Sequence, residues 1–234
     1  MPAKLIVNGL YAIPIGPVNA FLLVSADGCT LIDTGVPGSA NTILQAVRDL
    51  GKSARDVRHI ILTHAHPDHI GSAAVLKKAT GAETYIHPLD APIAMGSAGF
   101  RPMKAAPGLI NGLVFRLLMR SIPTVEGTPI DHQVQDGEVL PIAGGLTAIH
   151  VPGHCAGQLA FLWAQHGGVL FAADTCSNML HLGWTIAYED LAEGQRSLSK
   201  LGQLDFQVAC FGHGKAILPD ANVQFRKKWG EEVV

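Results

Sequence analysis

Four side chains able to bind a metal stand within six residues, His64-Ala65-His66-Pro67-Asp68-His69. Three imidazoles and a carboxylate packed this closely would be costly in an apolar interior, because each loses its hydration. A divalent cation turns that cost into coordination. The alternative is a solvated polar turn that happens to be rich in histidine. The flanks favour a metal. Before the segment runs Val57-Arg58-His59-Ile60-Ile61-Leu62-Thr63, apolar and of strand type; after it runs Ile70-Gly71-Ser72-Ala73-Ala74-Val75-Leu76, which has the look of a helix start.

Three further candidates end strands in the same way. His154 follows the apolar run up to Val151 and a Pro152-Gly153 turn, Asp174 closes Val169-Leu170-Phe171-Ala172-Ala173, and His213 sits between Gly212 and Gly214 after Val208-Ala209-Cys210-Phe211. In a layered sheet the ends of neighbouring strands converge, so ligands far apart in sequence can meet. Glycines beside such a ligand let the backbone approach closely. The seven candidates, His64, His66, Asp68, His69, His154, Asp174 and His213, exceed the four of a closed structural zinc site. They suit two metals bridged by one carboxylate, each with room for solvent. Such a pair lowers the pKa of a shared water toward ~7 and polarises a carbonyl or phosphoryl oxygen.

Taken together, these residues make the chain resemble the metallo-β-lactamase-fold hydrolases over nearly its whole length. Leu31-Ile32-Asp33-Thr34-Gly35 is similar to that family's first motif and His64-x-His66-x-Asp68-His69 to its second, with His154, Asp174 and His213 following in order. The resemblance implies an α/β fold, a four-layer αβ/βα sandwich of two mixed β-sheets with helices on the outer faces and the site at one edge of the sheets. It implies one metal site from His64, His66 and His154, a second from Asp68, His69 and His213, and Asp174 bridging them. Asp33 would orient a ligand through hydrogen bonds; as a bare residue it could equally cap a turn.

The implied activity is that of a dinuclear metal-dependent hydrolase. A metal-bridging hydroxide would attack the carbonyl of an ester, thioester, lactone or related amide, with Asp68 managing the leaving group's proton. Zinc is favoured by imidazole-rich ligation, and the same ligands accept iron, manganese or cobalt. An aspartate at position 174 is similar to the glyoxalase II-like thioesterases and the acyl-homoserine lactonases. The former carry a C-terminal helical glutathione-binding domain, which is not expected here. The latter place a tyrosine three residues after the aspartate, where this chain has Ser177. The alternatives are a mononuclear iron oxidoreductase resembling the persulfide dioxygenases, and β-lactamase activity; no secretory signal is read at the N-terminus to accompany the latter.

Strands must carry these residues. The patterns predict strands over 5–13, 18–25, 29–33, 57–62, 83–86, 133–135, 139–142, 146–151, 159–164, 169–172 and 206–211, and helices over 37–50, 72–78, 188–201 and 219–229. Residues 88–123 interrupt this order as a helical insertion in a single domain spanning 1–234. They include a helix over 109–120 with Arg116 and Arg120 on an otherwise apolar run. Four roles are open to the insertion: a helix packed on the body, a lid, a surface for a second subunit in a homodimer, or an element touching a membrane. If it is a lid, Phe115 and Leu118 face the substrate, which then has an apolar or acyl part; Trp184 is a further candidate for the pocket.

The 234 residues carry a net charge of -2, and 15% are charged against about a quarter in a typical domain. No basic cluster is present for phosphates to neutralise, so a small molecule rather than nucleic acid is the expected partner. No uncharged apolar run reaches the ~18 residues of a membrane span. The four cysteines are scattered, with no Cys-x-x-Cys pair, as expected for buried thiols in a cytoplasmic protein.

Overall fold

The computed structural model describes residues 2–118 and 123–230. The chain opens with a meander of β1 (Lys4–Val7), β2 (Leu10–Ile15), β3 (Val18–Ser25) and β4 (Gly28–Ile32). Helix α1 (Ala40–Asp49) leads into β5 (Val57–Ile61), and α2 (Pro67–Ile70) and α3 (Ala73–Thr80) lead into β6 (Glu83–Ile86). The segment expected to be an insertion holds α4 (Ala91–Ala94), β7 (Lys104–Ala105) and α5 (Leu109–Leu118). The second half carries β8 (His132–Gln133), β9 (Val139–Leu140), β10 (Leu146–His150), β11 (Leu159–Trp163), β12 (Val169–Phe171), β13 (Ala187–Tyr188), α6 (Leu191–Gly202), β14 (Val208–Cys210) and α7 (Ala221–Trp229).

Two mixed sheets result. One runs β1-β2-β3-β4-β5-β6-β8, antiparallel up to β4 and parallel beyond it; the other runs β14-β12-β11-β10-β9, with β12 and β14 parallel. Alternation along each strand divides the apolar residues between two faces. On β3, Phe21 and Leu23 face the second sheet, while Ala20 and Leu22 face the helices. Leu159, Phe161 and Trp163 of β11 meet them from the other side, and Ala160 points outward. The outer face of the first sheet is covered by Ile43 and Val47 of α1 and Leu76 of α3, and that of the second by Leu198 and Leu201 of α6 and Phe225 of α7. The expected helix–sheet–sheet–helix order is therefore observed, with helices outside and three apolar layers between them.

The differences from the predicted elements have local causes. The strand expected over 5–13 is broken by an Asn8-Gly9 turn, with Gly9 at φ 81°, so that Val7 pairs with Leu10. The helix expected from 188 starts at Leu191, because Asp190 caps it by accepting the Glu193 N–H at 3.0 Å. Ala187–Tyr188 instead pairs with Lys104–Ala105 in a two-stranded ribbon that ties the inserted segment to the second half. Of the helix expected over 109–120, Met119 and Arg120 lie outside the described residues, as does the side chain of Leu118. Among the described residues no helix is long and apolar enough to cross a membrane.

Phe171 is fully buried between the sheets, edge-on to Phe21 with ring centroids 5.5 Å apart. Phe171→Ala is expected to cost about 3–5 kcal/mol of stability in denaturant unfolding, the range for an aromatic removed from a packed core.

Candidate metal centre

Each predicted site residue sits just past a strand end on one edge of the two sheets. Asp33 follows β4, His64 and His66 follow β5, Asp68 and His69 ride on the single turn of α2, His154 follows β10, Asp174 follows β12, and His213 follows β14. The chain turns sharply to deliver them. Asp33 and Ala173 adopt φ 60° and 50°, positions that only strong surroundings hold for residues with a side chain. Gly212 passes so close that a Cβ there would lie 2.1 Å from Asp174 Oδ1 and 2.7 Å from His69 Cε1.

The structure brings all seven side chains together. His64, His66 and His154 form one group, His64, His69 and Asp174 a second, and Asp68, His69 and His213 a third, the ligand atoms of each lying within 4.8 Å of one another. His66 Nδ1 is 2.8 Å from His154 Nε2. Asp174 reaches both ends: Oδ1 lies 3.6 Å from His69 Nε2, and Oδ2 lies 3.7 Å from His154 Nε2 and 3.1 Å from His213 Nε2. Asp68 Oδ2 is 3.3 Å from His213 Nε2.

The hydrogen bonds behind these rings decide which nitrogen each presents. His69 Nδ1 donates to Asp33 Oδ2 at 2.8 Å, His154 Nδ1 to the Ala187 carbonyl at 2.7 Å, and His213 Nδ1 to the Pro17 carbonyl at 2.9 Å. The Thr63 hydroxyl donates to Asp33 and so accepts from His64 Nδ1 at 3.0 Å. Asp33 therefore orients His69 directly and His64 through Thr63. Its carboxylate also accepts the Thr63 N–H at 2.8 Å. Four imidazoles thus spend one nitrogen on the protein and turn Nε2 inward, the arrangement that fixes tautomers around metals. His64 Nε2, His69 Nε2 and Asp174 Oδ1 are buried with no hydrogen-bond partner. Orphaned polar atoms this close together are what a cation would satisfy, and the donor set fits a divalent metal.

Charge splits the cluster in two. Burial by itself would depress every imidazole here. At His66 burial, reinforced by His154, takes the pKa down to about 3; burial likewise lowers His64 and His154. At His213 burial is outweighed by the Asp174 and Asp68 carboxylates, which lift the ring to about 10. At His69 burial is outweighed by Asp174, Asp33 and Asp68, and the pKa stands well above the usual value. Burial opposes ionisation of Asp174, yet His213 and His69 hold its carboxyl well below the ordinary range.

The cluster forms the floor of a cavity of about 470 Å³, to whose lining His66, Asp68, His154, Asp174 and His213 contribute. Its walls are apolar, and the inserted segment supplies Phe100, Pro102, Met103 and Phe115. Phe115 is thus part of the wall. Trp184, the further pocket candidate, is not among the residues lining the cavity; it is half-buried against the apolar layer under the outer helices, its ring 5.5 Å from Tyr188. Ser177 lines the cavity, while the Tyr188 hydroxyl is engaged elsewhere, donating to the Thr175 carbonyl at 3.0 Å. Sequence reasoning missed Asp90, Arg101 and Glu189, an ion-paired group that reaches the wall through Arg101. Asp90 stands before Ala91-Pro92 and has the look of a helix cap, yet its side chain makes no cap bond.

A sequence profile of the Metallo-beta-lactamase superfamily matches residues 13–213. The chain is 28% identical over 212 residues to "Probable metallo-hydrolase YflN" of Bacillus subtilis (strain 168), covering 84% of this chain and 78% of that one. It is 29% identical over 203 residues to a hydroxyacylglutathione hydrolase of Methylococcus capsulatus, covering 85% and 63%. A 35% match to YobT of Bacillus subtilis spans 68% of this chain and 61% of that protein. The fold superposes on the MIM-2 metallo-beta-lactamase with a TM-score of 0.76 at 21% identity, over 98% of this chain and 87% of that one.

Two consequences can be measured. Carboxylates raise the pKa of His69 and His213, so metal competes with protons there, whereas burial lowers the pKa of His64, His66 and His154. As pH falls from 8 to 6, affinity at the Asp68/His69/His213 group should drop by about tenfold per unit for each proton displaced, and affinity at the three-imidazole group should hold. Isotherms for one metal at several pH values test this, and parallel losses at both groups would refute it. Gly212→Ala should lower metal affinity by at least about tenfold, through the Asp174 and His69 side chains it displaces.

Proposed function

Because the chain belongs to the metallo-beta-lactamase superfamily, we propose that it is a metal-dependent hydrolase of an ester, thioester or lactone with an apolar acyl part. Two divalent ions, zinc foremost, would be held by His64, His66 and His154 on one side and by Asp68, His69 and His213 on the other, with Asp174 between them. The observation that carries this reading is the seven-residue cluster, with its orphaned nitrogens and carboxylate oxygen, at the floor of an apolar cavity. The similarity to a protein named for hydrolysis of hydroxyacylglutathione supports a thioester among the candidates.

The ions would supply a water activated near neutral pH and Lewis acidity at the substrate carbonyl. The protein's own residues do the rest. Phe100, Pro102, Met103, Phe115 and Ile186 hold the acyl chain and exclude water, which strengthens every charge interaction at the floor. Asp68 reaches the cavity beside His213, where its carboxylate can take up a proton and pass it to a departing alkoxide or thiolate. Asp33, through Thr63 and His69, keeps two of the rings fixed while this happens.

Metal analysis of the purified protein, with a panel of ester, thioester, lactone and β-lactam substrates, tests the reading. About two zinc ions per chain and chelator-sensitive turnover are expected. About one iron per chain with no hydrolysis would instead favour the persulfide dioxygenase alternative. Replacing Met103 and Phe115 by Gln and Asn should raise KM about tenfold or more for a long acyl substrate and within about twofold for a short one. Equal effects on both would overturn the acyl-pocket assignment.

A further inference from the structure

Beside the cavity lies a charged group that the hydrolytic chemistry above does not use. Asp90 is fully buried at the start of α4. Its Oδ2 accepts the Ala65 N–H at 2.9 Å and the Cys155 thiol at 3.3 Å. Its Oδ1 accepts the Gly157 N–H at 3.0 Å and pairs with the Arg101 guanidinium. Ala65 is the residue between His64 and His66, and Cys155 and Gly157 lie just past His154. One carboxylate therefore grips both loops that carry the three-imidazole group, loops that are 88 residues apart between His66 and His154.

The grip is made tight from the other side. Arg101 Nε donates to both Glu189 carboxylate oxygens at 2.9 Å, and Arg101 Nη1 donates to the Leu89 carbonyl at 2.9 Å. Glu189 Oε2 accepts the Ala156 N–H at 2.9 Å, and the Glu189 N–H donates to the His154 carbonyl at 3.2 Å. Position 157 has no room for a side chain, since a Cβ there would lie 2.3 Å from Asp90 Oδ1. Arg101 also lines the cavity, so the wall is fastened to the ligand loops through the same two carboxylates.

We propose that Asp90 is a positioning residue that sets the spacing of the 64–66 and 154–157 loops, so that His64, His66 and His154 are preformed as one metal site, with Arg101 and Glu189 holding Asp90 in place. This rests on the reading of that group as a metal site. Asp90 touches none of the three rings; it acts through backbone N–H groups whose bonds to a carboxylate are stronger than those to a neutral acceptor. A buried ion pair such as Asp90–Arg101 is retained at a desolvation cost that apolar packing would avoid, which suits a role in geometry more than one in stability.

The test is a cobalt(II) titration of the full chain, followed by visible absorption and by competition with a chelator. Asp90→Asn keeps the shape but puts an NH2 donor where a carboxylate oxygen accepted, so at least one facing N–H loses its acceptor. It is expected to weaken cobalt at the three-imidazole group by about tenfold or more, with altered absorption bands, and to leave the Asp68/His69/His213 group within about twofold. Gly157→Ala, which displaces the same carboxylate without changing any charge, should give the same selective loss. If either variant lowers thermal stability yet binds cobalt as the wild type does, or weakens both groups equally, the positioning role is overturned. Failure of both variants to fold would likewise overturn it in favour of a purely architectural role. His64→Ala reports separately on the underlying reading: unchanged cobalt binding there would mean that the three imidazoles are not a metal site at all.

Discussion

The structure turns on the desolvation of imidazole and carboxylate groups that cannot satisfy one another. His64 and His69 are completely buried, their rings only 4.1 Å apart, and Asp174 is buried beside them. Hydrogen bonding within the protein accounts for one nitrogen of each ring and leaves the inward atoms without partners. A fold that depended on its apolar layers alone would gain by replacing these groups. Their presence at the meeting point of two sheets is intelligible when a cation completes them, and the rest of the edge is shaped accordingly, from the left-handed backbone at Asp33 and Ala173 to the bare Gly212.

Around that centre the protein arranges its supports by distance. Asp33, Thr63 and the carbonyls of Pro17 and Ala187 fix ring orientation from directly behind the rings. Farther out, Asp90, Arg101 and Glu189 join loops from both halves of the chain to the inserted segment. The carboxylates are unevenly spread. Three of them surround His69 and two surround His213, whereas the His64, His66 and His154 rings lie mainly against one another. Two neighbouring ligand groups thus differ in how strongly their surroundings favour a proton.

The layered fold was legible because its pattern is redundant. Apolar runs such as 18–25 and 57–62 recur with glycine and proline punctuation, and the helices show apolar positions three and four apart, as at Ile43, Ala46 and Val47. Short-range chemistry that competes with those runs was harder to read. Asn8-Gly9 splits a strand that hydropathy alone would continue, and Asp190 moves a helix start past Tyr188, which pairs instead with a distant segment. The ligand candidates stood out because histidine and aspartate after an apolar strand are chemically conspicuous. Asp90 did not, since an aspartate before a proline-containing helical turn has a sufficient local explanation, and only its partners in three dimensions reveal another use.

The sequence by itself determined the two-sheet α/β architecture, the superfamily's motifs and the residues able to bind metal, because each is written in residue type and short-range spacing. Only the tertiary structure decided which ring nitrogen faces inward, which imidazoles lie against carboxylates, that Phe115 lines the cavity while Trp184 stays out of its wall, and that Asp90 bridges the histidine loops. The reason is physical: orientation, protonation and burial are set by atoms that packing brings within a few ångströms from positions scores of residues away, and no local pattern encodes that proximity.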